Sequence, residues 1–169
     1  MDIFEAVRSV LAVRTYEDRP VPEDLTRRIV EAGRLTASAT NRQPWHFVVV
    51  TERERVRSLG EAVKSGRYIA EAPLAIAVAV ERESRFAVSD ASRAIQSMIL
   101  TAWDAGVGSN WTGFLAIEGV RSILAIPDAY DILAVLPFGY PAQPVGAGKK
   151  NRKPLAEVAS RERFGQRFA

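Results

Sequence analysis

The chain has 169 residues, 47% hydrophobic and 25% charged with a net charge of +3, which suits one domain over 1–169 built round a sizeable core. There is no cysteine and a single histidine, His46, so disulfides, thiolate nucleophiles and cysteine-based metal sites are excluded and no metal is expected. Redox chemistry in such a chain must come from a bound organic cofactor, because the side chains offer almost none.

The N-terminus is acidic and does not read as a signal peptide, and the longest apolar run, 73–80, is strand-sized. A cytoplasmic protein with no membrane contact is expected. Residues 2–11 have helical spacing through Ile3, Val7 and Val10. A second helix opens at Pro22, with Glu23 and Asp24 suited to its positive end, and runs to about 35. A polar loop, Ser38-Ala39-Thr40-Asn41-Arg42-Gln43-Pro44-Trp45, then leads into a strand over 46–51. A charged surface helix over 52–62 follows, broken at Ser65-Gly66, with a short helical turn at Tyr68-Ile69.

Residues 74–80 form a continuous apolar run, read as a strand buried on both faces. A short connector, 81–85, leads to a helix over about 88–105 with a broad apolar stripe from Ala91 to Trp103, stopped by Gly106-Val107-Gly108. A short strand near 109–111, a helix over 117–124, a buried strand over 132–140 and an irregular tail complete the chain. The pattern gives an α+β fold in three layers round a mixed sheet.

Several motifs bear on chemistry. Gly106-x-Gly108 follows a helix and lacks the third glycine, so it is no dinucleotide fingerprint. Gly148-Lys149-Lys150 fails as a phosphate loop, with Gln143 at the first glycine position. In the polar loop, Asn41 and Gln43 either cap and solvate a turn or present amides, which both donate and accept, to a flat polar ligand. Arg8 and Arg14 form surface ion pairs or grip an anion. Residues 149–169 carry seven basic and two acidic side chains, a balance of +5 that leaves about −2 for the rest. Lys150 and Arg152 alternate, so an extended tail would point both at one phosphate. The run 149–154 lacks the aromatic interleaving of a nucleic-acid binder. Gly113, in Asn110-Trp111-Thr112-Gly113-Phe114, permits close approach of a backbone N–H to a ligand. His46 reads as a packing residue.

The series resembles one family. Arg14-Thr15-Tyr16 with Pro20-Val21, the loop Ser38–Trp45, Ala72-Pro73 before an apolar strand, Asp90 leading the long helix, Ile126-Pro127, Gly139-Tyr140-Pro141 and Lys150-x-Arg152 follow the order of the FMN-dependent nitroreductase-like oxidoreductases. The resemblance implies a three-layer α/β/α fold with a mainly antiparallel sheet and a homodimer holding FMN between its chains. NADH or NADPH would be the reductant, and nitroaromatics, quinones or similar electron-poor compounds the acceptors. It assigns Ser38, Ala39, Asn41, Gln43, Trp111, Thr112 and Gly113 to the flavin, with Arg8, Lys150 and Arg152 on the phosphate. Ser38 and Asn41 would come from the partner of the chain that supplies Arg14 and Lys150. It names no catalytic side chain: flavin N5 carries the chemistry, with the Gly113 backbone at N5/O4. The tail, about 155–169, would contact the partner subunit. The chain departs from the family pattern at Val10-Leu11-Ala12, where Arg-Arg-Ser is usual, at Ala37 in place of proline, and in the short lid segment before Asp90. A non-catalytic flavin-binding or storage protein is the alternative.

Overall fold

The structure is a computed structural model that describes residues 1–113, 117–145 and 150–168. Phe114 and Lys149 lie outside the described residues. Four strands form one sheet in the order β1 (Trp45–Val50), β2 (Leu74–Glu81), β4 (Tyr130–Gly139), β3 (Gly108–Ser109), every neighbouring pair antiparallel. A parallel bridge from Ala12 to Ser109 adds the chain before Arg14 to the β3 edge and makes the sheet mixed. The helices are α1 (Ile3–Ser9), α2 (Glu23–Arg34), α3 (Arg53–Ala62), α4 (Ala87–Asp104), α5 (Glu118–Leu124) and α6 (Leu155–Val158), with 3-10 turns at Ala39–Asn41 and Arg67–Glu71.

Strand β2 organises the layers. Its side chains alternate, and both sets are buried. Leu74, Ile76, Val78 and Val80 join Leu136 and Phe138 of β4 against the stripe Ala91, Ile95, Met98 and Ala102 of α4 and Ile29 of α2. The intervening Ala75, Ala77 and Ala79 face the other way, against Val56 and Leu59 of α3, Ile69 and Val120 of α5. Large residues on one side and alanines on the other set how closely each helical layer approaches. The result is the expected three layers.

Local signals fix the helix ends. The Asp2 carboxylate accepts the Glu5 N–H at 2.8 Å to start α1, and Glu52 accepts the Glu54 N–H at 3.0 Å to start α3. Acidic Glu23 and Asp24 occupy the first turn of α2. Helix α1 ends at Ser9, two residues before the spacing predicts, because the chain turns extended to meet Ser109. The tail is not wholly irregular: Pro154 opens the single turn of α6, and Ser160 bridges Arg167. No helix among the described residues is long and apolar enough to cross a membrane.

Phe138 is fully buried between β3 and the α4 layer, whereas Leu35 is 67% exposed. Chemical denaturation should show Phe138→Ala destabilised by about 3–5 kcal/mol. Leu35→Ala should stay within about 0.5 kcal/mol of the parent. Equal effects would contradict this packing.

Candidate functional site

The loop between α2 and β1 holds a conformation that its residues do not adopt freely. Thr40, Asn41 and Gln43 all have left-handed backbones, with φ of 51°, 56° and 53°. Asn tolerates this region, but β-branched Thr does so only when its surroundings impose it, at a cost of about 1–3 kcal/mol. The surroundings are visible. Ser38 Oγ accepts the Gln43 N–H at 2.9 Å, and the Ala39 N–H donates to Asp90 Oδ2 at 3.0 Å. Gln43 Nε2 donates to the Asn41 carbonyl at 3.1 Å and to Asn41 Oδ1 at 3.3 Å. Arg42 is tied to Glu81 at 3.0 Å, and buried Pro44 leads into Trp45, stacked on Phe47. No hydrogen bond among the described residues uses Asn41 Nδ2 or Gln43 Oε1, so a donor and an acceptor remain on an exposed, rigid turn.

A second group of predicted residues lies on the far edge of the sheet. The Arg14 guanidinium sits over the Tyr68 ring, 5.8 Å from its centroid, and makes no ion pair among the described residues. Asn110 Nδ2 donates to the Tyr68 hydroxyl, linking that ring to the segment that carries Trp111, Thr112 and Gly113. Trp111 packs on the core face shared with α4. Buried Thr112 hydrogen-bonds Val135 through its hydroxyl and its carbonyl, so its side chain is spent on the sheet. Gly113 has φ of +150°, and a Cβ there would fall 2.7 Å from the Leu133 carbonyl oxygen. Only glycine fits this close approach.

The basic residues gather at the C-terminal end of α1. Lys150 Nζ donates to the Val7 carbonyl at 2.7 Å. Partial burial lowers its pKa below the ordinary lysine value, and the charges of Arg152 and then Arg8 lower it further. Three cations therefore stand close enough to repel one another. Arg8 is already engaged: its guanidinium makes two bonds of 2.8 Å to Glu5. Lys150 and Arg152 are the freer pair, with Arg152 bonded, among the described residues, to the carbonyl of Asn151.

The two groups do not meet within one chain. Trp45, where the loop ends, pairs with Val80, and Val80 with Asp131. Ser109, beside Ala12, pairs with Phe138 at the opposite end of β4 and on the opposite edge of the sheet. Strand spacing and rise put these corners about 25 Å apart. Composition and motif reading found the loop and the cations. It missed Tyr68 as the ring beneath Arg14 and Asp90 as a loop ligand. An acidic residue at the head of an otherwise apolar helical stripe was the available signal for the latter.

Comparison with known proteins bears on the family and the fold. The model of the Nitroreductase family matches residues 8–67 and 65–140. A protein of Methanothermobacter thermautotrophicus named NADH dehydrogenase/NAD(P)H nitroreductase is 37% identical over 154 residues, covering 86% of this chain and 81% of its own. The crystal structure of a protein of the same name from Parabacteroides distasonis superposes with a TM-score of 0.86 at 30% identity, covering 95% of this chain and 98% of its own. A nitroreductase from Desulfovibrio desulfuricans, solved in complex with FMN, superposes with a TM-score of 0.81 at 28% identity over 97% of this chain and 98% of its own. The chain belongs to the nitroreductase family of FMN-dependent oxidoreductases.

Proposed function

We propose that this protein is an FMN-dependent NAD(P)H oxidoreductase that reduces nitroaromatics, quinones or similar electron-poor acceptors, working as a homodimer whose two sites each draw on both chains. The observation that carries the reading is the strained loop at 38–43, which holds unspent amide groups on a fixed backbone. The residues fit the cofactor. Alternating donors and acceptors on Asn41 and Gln43 suit the pyrimidine edge of a flavin. Three mutually repelling cations suit a phosphate, whose charge would relieve them. The diagonal separation of the two groups supports assembly from two copies: the loop of one chain would face the cation edge of the other. Exposed Leu155, Val158 and Phe164 in the tail, and Ile3 and Phe4 on α1, supply apolar surface for that contact.

When bound, FMN would supply the redox chemistry at N5, hydride exchange between reduced nicotinamide and the acceptor in ping-pong order. The chain's own residues bind and polarise. Lys150 and Arg152 hold the phosphate, with Arg8 contributing if Glu5 releases it. Arg14, steadied on Tyr68, would put positive charge where the reduced ring becomes negative, at the N1–C2=O edge. The Gly113 N–H would donate at N5 and O4, and Ser38, Ala39, Asn41 and Gln43 would hold the ring. Trp111 and Thr112 set the segment that carries Gly113. Such a site needs no side-chain acid. The connector 82–86 between β2 and α4 is short, which suits an open site with broad acceptor range.

The purified protein should be yellow with flavin bands, and stopped-flow mixing with NADH or NADPH should bleach them rapidly. Slow bleaching with both nucleotides would instead fit flavin storage. Lys150→Ala/Arg152→Ala should weaken FMN binding by roughly a hundredfold, two charge-assisted phosphate contacts being lost, read by flavin fluorescence quenching. Unchanged affinity would remove the phosphate grip.

Affinity should also depend on alkaline pH. The Lys150 ammonium has a lowered pKa in the free protein, and a bound phosphate would raise it. The proton is then held more tightly in the complex, so affinity is full below the free pKa and falls as pH rises through it. The fall should begin below the ordinary lysine range and flatten in Lys150→Arg, as titrations across the alkaline range would show.

A further inference from the structure

We propose that Asp90 is a positioning residue of the site: its carboxylate, reaching across from α4, holds the first backbone amide of the 3-10 turn and so sets the geometry of the ring-binding loop. The inference rests on the reading of that loop as the flavin's seat.

Asp90 is 1% exposed and lies in the first turn of α4, at the head of the stripe formed by Ala91, Ala94, Ile95 and Met98. A carboxylate in such a place is costly unless both oxygens are satisfied. Here they are. Oδ1 pairs with Arg93 one turn along, and Oδ2 accepts the Ala39 N–H at 3.0 Å. The partner on the loop is therefore a backbone amide at the first residue of the turn Ala39–Asn41.

That turn has no side-chain cap of its own. Ser38 occupies the N-cap position with an extended backbone, φ −126° and ψ 158°, the usual setting for a serine that caps. Its hydroxyl oxygen nevertheless faces forward and accepts the Gln43 N–H. Asp90 therefore holds the amide at the start of the turn while Ser38 Oγ holds the Gln43 N–H at its far side, so the loop is pinned at both ends. The same arrangement holds Thr40, Asn41 and Gln43 in the left-handed region. A second tie, Thr36 Oγ1 to Ser97 Oγ at 2.8 Å, fixes the chain just before the loop to the same helix. Helix α4 thus acts as a rail, and Asp90 is the contact nearest the ring-binding groups. Without the carboxylate the turn would lose its tie to α4, and the left-handed residues would relax.

The test compares wild type, Asp90→Ala, Asp90→Asn and Ala39→Pro as full-length proteins. Proline suits the first position of a helical turn and deletes only the donor, leaving Asp90 in place. Readouts are FMN affinity by fluorescence quenching, the bleaching rate with NADH at saturating FMN, and the melting temperature of FMN-free protein. Asp90→Ala and Ala39→Pro should each bind FMN at least tenfold more weakly and bleach more slowly when saturated. Asp90→Asn, which keeps an acceptor, should recover most of both. A purely structural role would lower melting alone and leave the saturated bleaching rate unmoved. If Asp90→Ala does not fold, Ala39→Pro decides. Affinity within twofold of wild type and an unchanged bleaching rate in Ala39→Pro would overturn the role of Asp90 while leaving the flavin reading intact. A wild-type protein that takes up no FMN would end that reading and this inference with it.

Discussion

The burial of β2 on both faces is the constraint from which the rest of the molecule follows. A strand whose every side chain from Leu74 to Val80 is withdrawn from water must be covered twice. That demand recruits α2 and α4 to one side and α3 and α5 to the other. It puts two strands beside β2 and leaves β1 and β3 as edges. The loop before β1 and the extended segment before Arg14 then emerge at opposite corners. Neither position is chosen by its own residues. Both are set by how the sheet is centred, which is how an apolar run with no chemistry of its own determines where chemistry can occur.

The polar groups near these corners divide by burial. Burial pushes the Tyr16 phenol far above its ordinary range, and it donates to the Val13 carbonyl at 2.7 Å, bracing the backbone that presents Arg14. Thr112 is likewise consumed by the sheet. His46 is exposed, its ring set edge-on to Tyr130 with centroids 6.4 Å apart, on the opposite side of the strand from Trp45. What remains for a ligand is backbone N–H, amide side chains and fixed positive charge. These groups stabilise developing negative charge by being in place beforehand, the form of assistance a redox ring needs most.

The sequence was legible where one physical signal dominated. The apolar run at 74–80 and the stripe of α4 each have a period or continuity that only one environment explains, and their burial followed. The loop at 38–45 stood out as a candidate because polar groups stood beside a buried strand, and the family resemblance named its order. Its left-handed backbone was not legible, because Thr40 has no local reason to adopt it. The reason lies in Asp90, about fifty positions along the chain. Tyr68 escaped for the same cause, since its contact with Arg14 exists only after the 3-10 turn Arg67–Glu71 packs against the sheet edge. The engagement of Arg8 by Glu5 was readable as an i, i+3 pair on a helix, but the same arginine equally suited an anion.

Division of a site between two corners has a thermodynamic consequence. If each FMN is gripped by the loop of one chain and the cations of another, as proposed, ligand and partner bind to the same state. Each must then strengthen the other by an equal factor, because linkage is reciprocal. The apolar tail and the α1 face would supply association without the cofactor, and the repulsion among Lys150, Arg152 and Arg8 would oppose it until a phosphate arrives. The absence of Arg-Arg-Ser before Val13 fits this balance. Fewer cations mean less repulsion in the empty state, and a grip that depends more heavily on the partner's loop being held in shape.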